Sequence, residues 1–204
     1  MAPTLLLTCG DAPPEHLFVD PALRHRLHAM DVYDLEHAPL LNYAGLLIPT
    51  HADQRFLSTI QLTLRQFLSA GKSIVFCGQL VYPFLPDIDR FIPLTSRSID
   101  DYRLYRVSEH PVFADVDTDH LTFRKGVAGF YGRGHMPPPA GSHIIQRLGG
   151  AGGAPVDYVV EPPGGGRMLI HAGNDLWNYA TEADSSAHRI PSQLLDWIES
   201  QEAH

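Results

Sequence analysis

The sequence has no apolar run of about 18 or more residues, the length a membrane-spanning helix needs. Charged residues, prolines and glycines interrupt every hydrophobic stretch. Near Met1 no basic segment precedes an apolar one, and the short run Leu5–Leu7 stops at Thr8-Cys9-Gly10. That pattern is not a secretory signal, and a cytoplasmic protein is expected. Basic clusters are also missing. The chain carries 15 Lys and Arg against 23 Asp and Glu, a net charge of -8. A surface that neutralises nucleic-acid phosphates is therefore not expected. There are only 2 cysteines, Cys9 and Cys77, too few for a disulfide framework or a zinc-finger pattern, so both are read as reduced. The 12 histidines show no H-E-x-x-H or H-x-H spacing and no C-x-x-C accompanies them, so neither a metal nor a cofactor is expected.

What is present is enough apolar sequence, 44% of 204 residues, for one domain over residues 1–204 with a sizeable core. Short apolar runs alternate with helical spacing in the first half, the arrangement of a parallel sheet with crossover helices, so the fold class is α/β. Strands are expected at Thr4–Thr8, Asp31–Leu35, Ala44–Ile48 and Ser73–Phe76, the last ending on Cys77. Phe56, Leu57, Ile60, Leu64, Phe67 and Leu68 fall on one face of a helix that Gly71 closes. The second half reads as more irregular and richer in β-structure. Tyr102–Val107 alternates, Leu121–Phe123 and Val127–Tyr131 read as short strands, and Val156–Val160 pairs with Met168–Ile170 as a hairpin across Pro-Pro-Gly-Gly-Gly. Gly149–Gly153 is a loop within the domain, and a final amphipathic helix carries Leu194, Leu195, Trp197 and Ile198.

Cys77 is the most informative position. It follows an apolar strand and precedes Gly78-Gln79, and carboxyl ends of parallel strands are where α/β folds place their sites. A thiol on a sharp strand-to-helix turn is exposed and activated; one that is still part of the strand is a small buried hydrophobe. Both readings stand at this point. His51, two residues before Asp53, lies after a neighbouring strand, where it is either a partner for Cys77 or a turn residue beside a helix cap supplied by Thr50 or Asp53. His171 ends the late strand Met168–Ile170 and is followed by Ala-Gly-Asn-Asp-Leu-Trp177. Asn174 or Asp175 would orient its ring towards Cys77, unless the segment is a chain reversal anchored by Trp177. Tyr131-Gly-Arg-Gly-His135 offers Arg133 and His135 to an anion, though a surface loop explains the same residues.

The run Tyr43-Ala-Gly-Leu-Leu-Ile-Pro-Thr-His-Ala-Asp-Gln54, a helix, and then Gly71-Lys-Ser-Ile-Val-Phe-Cys-Gly-Gln79 resembles the core of class I glutamine amidotransferase-like domains. Ser108-Glu-His-Pro-Val-Phe113 and Gly166-Arg-Met-Leu-Ile-His171 are similar to segments of the trehalose-utilisation (ThuA-like) branch. The resemblance spans most of the chain and implies a flavodoxin-like parallel sheet sandwiched by helices, with the extra hairpin structure in the second half.

It also implies where chemistry would sit and what is missing. The glutaminase members use a cysteine in a G-x-C-x-G elbow and a late His-x-Glu. Here Val75 and Gln79 replace the flanking glycines, no His-x-Glu occurs, and Pro49-Thr-His-Ala52 stands where an oxyanion turn is expected. The PfpI-like branch pairs its cysteine with an early acid, a place that Asp11 or Glu15 would fill. The expected function is a cysteine-dependent hydrolase of a small amide, ester or carbohydrate-related substrate, with Cys77 as nucleophile and His171 or His51 as base. The alternative is a non-catalytic member of the fold that binds a small polar molecule or a partner. In either case Gly78, Gln79, Arg133, His135, Asn174, Asp175 and Trp177 are the expected contacts, with no nucleic acid, no membrane and a homo-oligomer as partner expectations.

Overall fold

A computed structural model describes residues 2–95, 98–124 and 126–201. Along the chain lie β1 (Thr4–Thr8), α1 (Glu15–Val19), β2 (Leu27–Asp31), β3 (Gly45–Ile48), α2 (Gln54–Thr59), α3 (Gln61–Ser69) and β4 (Ser73–Cys77). Then come β5 (Ile92–Pro93), β6 (Leu104–Arg106), α4 (Thr118–Thr122), β7 (Gly134–His135), β8 (His143–Leu148), β9 (Ala154–Val160), β10 (Arg167–His171) and α5 (Ile190–Glu199).

The central sheet has 8 strands in the order β2-β1-β3-β4-β10-β9-β8-β6. The first five run parallel, with β10 in the fifth place, which is the flavodoxin-like order. β9, β8 and β6 then continue the sheet antiparallel. β5 and β7 form a separate two-stranded ribbon. No helix among the described residues is long and apolar enough to cross a membrane.

Burial explains which strands form. β1, β3 and β4 bury both faces, as their unbroken apolar runs require, and Leu5, Leu46, Ile74 and Phe76 are fully enclosed. Gly45 has a packing reason: a Cβ there would lie 2.5 Å from Ile198 Cγ2, so α5 seats directly on β3. On α5 the side chains of Leu194, Leu195 and Ile198 are buried, each stabilising the fold by about 1.5–3 kcal/mol. Arg26, just before β2, reaches Asp196 and Glu199 of α5 at 2.7 and 2.8 Å and ties the sheet edge to that helix.

Several sequence expectations need correction. The second strand is Leu27–Asp31 and not Asp31–Leu35. Asp31 accepts a hydrogen bond from Tyr33 N and turns Val32–Glu36 into a 3-10 segment. The single helix over Phe56–Leu68 is two, broken at Ile60 (φ -108°, ψ 24°), though its apolar face is continuous and Gly71 (φ 79°) does close it. Leu121–Phe123 is not a strand, because Asp117 caps α4 across that stretch. Val127–Tyr131 is a bent segment with one isolated bridge from Val127 to Arg124. The hairpin does form: Met168 faces Val160, Leu169 Val159 and Ile170 Tyr158.

Candidate functional site

The carboxyl ends of β3, β4 and β10 lie side by side, and Cys77 and His171 are direct partners in the parallel β4–β10 register. His171 is in turn opposite Asp157 on β9, Asp157 opposite Gln146 on β8, and Gln146 opposite Arg106 on β6. Paired positions in a sheet project to the same face, so these five side chains form one line across five strands. Gln146 joins the line because of a register shift: Ile144 faces Tyr158 and Gln146 faces Asp157, which leaves Ile145 as the extra residue of a bulge. Such an insertion re-aims the next side chain.

Hydrogen bonds connect most of the line. His171 Nδ1 lies 2.7 Å from Asp157 Oδ1, while Asp157 Oδ2 accepts from Tyr131 OH at 2.8 Å and from Gln146 Nε2 at 2.9 Å. Arg106 Nη2 donates to Gln146 Oε1 at 3.4 Å. His171, Asp157 and Gln146 have no exposed surface, and Tyr131 packs its ring edge-on against His171 at 4.6 Å between centroids. A carboxylate so enclosed survives because three donors replace its hydration. The bond to Asp157 assigns a proton to His171 Nδ1. The other ring nitrogen, Nε2, is buried without a partner among the described residues.

Cys77 does not close the line with a hydrogen bond to His171. It is the last residue of β4, fully buried, and burial together with the nearby Asp175 pushes its thiol well above the usual range. The left-handed backbone belongs to the next residue, Gly78 (φ 131°), where a Cβ would meet Thr50 Cα at 3.0 Å. The sharp turn expected at the cysteine therefore falls one residue later.

Above these strand ends is a cleft of about 230 Å³ whose lining includes Thr50, Gly78, Gln79, Phe130, Arg133 and Asn174. Glycines 129, 132 and 173 and Ala172 also line it, and among the described residues Arg133 is its one charged residue. Arg133 Nε donates to Gly129 O at 3.0 Å, and among the described residues no carboxylate pairs with its guanidinium. Larger hollows lie around Leu40 and beside the Pro162–Gly165 turn, away from the strand carboxyl ends.

The cleft walls are held by side chains on α2 and on the segment after β10. Asp175 Oδ1 accepts from Thr50 N and Oγ1 at 2.7 and 2.8 Å, and Thr50 Oγ1 also reaches Gly173 O. Burial raises the Asp175 carboxyl against the opposing effect of those bonds. Asn174 Nδ2 donates to Phe130 O at 2.9 Å. Gln54, at the start of α2, donates to Gln79 O and accepts from the Val81 and Tyr82 N–H groups, which fixes the chain beyond β4.

The expected contacts thus divide. Gly78, Gln79, Arg133 and Asn174 share the cleft, while Asp175 braces it from an adjoining hollow that also holds His16 and Arg124. Neither Asn174 nor Asp175 orients His171, a role that Asp157 has. Trp177 is buried in a 3-10 segment and packs the core, and His135 sits half-buried on β7 outside the cleft lining, its imidazole pKa lowered by burial. His51 is exposed, 4.0 Å from Asp11 Oδ2, whereas Cys77 is fully buried. Its neighbour Asp53 is the helix cap, accepting from Arg55 N, Phe56 N and Tyr33 OH. That last bond pushes Tyr33 up to about 12.

Sequence reading missed Gln146, Arg106 and, most consequentially, Asp157. Its signal was a lone charge inside the otherwise apolar Val156–Val160. In comparisons with known proteins, no family model and no curated protein matches the chain.

Proposed function

We propose that the protein is a non-catalytic, ligand-binding member of the glutamine amidotransferase-like fold, receiving a small anionic molecule in the cleft above β3, β4 and β10. One observation carries this reading: Cys77 is a sealed strand residue, and the strained turn that would present a nucleophile falls on Gly78. A thiol raised by burial is a poor source of thiolate. The cleft supports the binding half of the proposal. Glycines let a ligand approach backbone N–H groups closely, Arg133 supplies a positive charge, and Thr50, Gln79 and Asn174 add polar atoms.

The cysteine-dependent hydrolase has one observation in its favour, the consecutive register positions of Cys77, His171 and Asp157. The experiment that separates the two compares iodoacetamide labelling of Cys77 and Cys9 in the native protein with thermal shifts in a panel of small carboxylates, amides and sugars. Binding predicts that Cys9 labels first, that Cys77 labels only on unfolding, and that a carboxylate raises Tm in wild type and Cys77→Ala but not in Arg133→Ala. Labelling of native Cys77 ahead of Cys9 below about pH 7 would overturn it in favour of the enzyme.

A further inference from the structure

Among the described residues, His171 Nε2 is a buried polar atom without a hydrogen-bond partner. It is fully buried, and the place where a Gly173 Cβ would stand lies only 2.6 Å from it, so Gly173 is the layer between the imidazole and the cleft. Opposite Gly173 is Gly132, joined to it by a single antiparallel bridge. Both glycines line the cleft, and the Tyr131 carbonyl fills the space beside Gly173, so the imidazole is reached only when this bridge opens. On its other side the ring is fixed: Nδ1 is bonded to Asp157, and Tyr131 holds the ring face. With the Nδ1 proton directed at Asp157, the ring turns Nε2 towards the cleft side as an acceptor, and a buried acceptor without a donor destabilises the fold.

We propose that the ligand of this cleft is a small α-hydroxy carboxylate, its carboxylate on Arg133 and its hydroxyl donating to His171 Nε2 through the opened Gly132–Gly173 bridge. This rests on the ligand-binding reading above. Size fits: about 230 Å³ equals the liquid volume of about eight waters, which admits a short hydroxy acid whole. Charge fits as well. The chain is at -8 overall, yet among the described residues the lining has no acid and one cation, so an anion meets no carboxylate from them inside the cleft. The chemistry of Nε2 then discriminates, because a site with a buried acceptor rejects an analogue that lacks the donor.

The test is calorimetric titration of the full chain with lactate, glycerate and tartrate, and with their deoxy counterparts propionate and succinate. It is paired with long-range proton–nitrogen spectra of histidine-labelled protein. The hydroxy acids are expected to bind at least about tenfold more tightly than the deoxy acids and to shift His171 Nε2 while leaving Nδ1 bonded. Arg133→Ala abolishes binding of both sets. Equal affinity for both sets, lost in Arg133→Ala, or an unmoved Nε2 signal on saturation, would overturn the hydroxyl contact and leave the cleft reading standing. Absence of binding by any of the acids would overturn both. The wild-type spectra decide the matter even if a His171 variant does not fold.

Discussion

His171 Nδ1 and Asp157 Oδ1 stand 2.7 Å apart at directly opposed positions of β10 and β9, with neither side chain reaching solvent. Asp157 is also the acceptor for Tyr131 and Gln146, so its removal takes an acceptor from three buried donors at once, of which Gln146 Nε2 alone keeps another, Tyr131 OH at 2.8 Å. Asp157→Ala is expected to lose about 3–5 kcal/mol. Tyr131→Phe, which keeps the ring packing but takes a donor from Asp157 and an acceptor from Gln146 Nε2, should lose about 1.5–3 kcal/mol. Urea denaturation of the two variants beside wild type checks both. A loss below about 1 kcal/mol for Asp157→Ala would mean that the line of polar residues does not stabilise the sheet.

Asp175 gives a stability term of opposite pH sense to most carboxylates. Its pKa is raised in the fold, chiefly by burial, above the ordinary 3.8. The folded chain therefore holds that proton more tightly than the unfolded one. The contribution is fully present below the unfolded value and is lost as pH rises through the folded value. Asp175→Asn keeps an acceptor for Thr50 and removes the titration. Its Tm relative to wild type should be nearly unchanged at about pH 3 and should become more favourable by about pH 7. A relative Tm that falls over that range would contradict the assignment.

His110 acts in the other direction. It packs among Phe113, His143 and Trp197, and its Nδ1 accepts from Val112 N at 3.3 Å, which needs an unprotonated ring. Burial first, then the charges of His143 and Arg167, push it down from 6.5 to about 4. The unfolded chain thus takes up this proton first on acidification, so stability present above about pH 6.5 is lost as pH falls towards about 4. His110→Asn retains a capping acceptor and should flatten that part of the profile. Urea midpoints between about pH 7 and pH 4 test it, and identical slopes for the two proteins would rule it out.

How far the sequence reveals this molecule depends on where each feature's cause lies. β1, β3 and β4 are readable because strands buried on both faces must be apolar throughout. β2 was misplaced because it has only one fully buried residue, Leu27, and no run to mark it. β8 went unread because His143, Gln146 and Arg147 break its apolar pattern, and Gln146 faces the core only through the bulge at Ile145. Cys77 and His171 were found as strand ends. Their environments were not, since enclosure of the thiol and pairing of the imidazole with Asp157 depend on which distant strands lie alongside. Nor does a local motif show that the left-handed turn falls on Gly78 and not on Cys77.

β10 occupies the middle of the sheet, between β4 and β9, yet comes after both in the chain. During synthesis β4 is complete at residue 77, while the strand that covers its edge begins only at residue 167. The intervening chain must be made and held without that pairing, and such long-range closure slows folding. In that interval the apolar edge of Ile74–Phe76 is a template for another nascent chain. Translation halted before residue 167 would leave two open edges, on β4 and β9, and a product prone to aggregation.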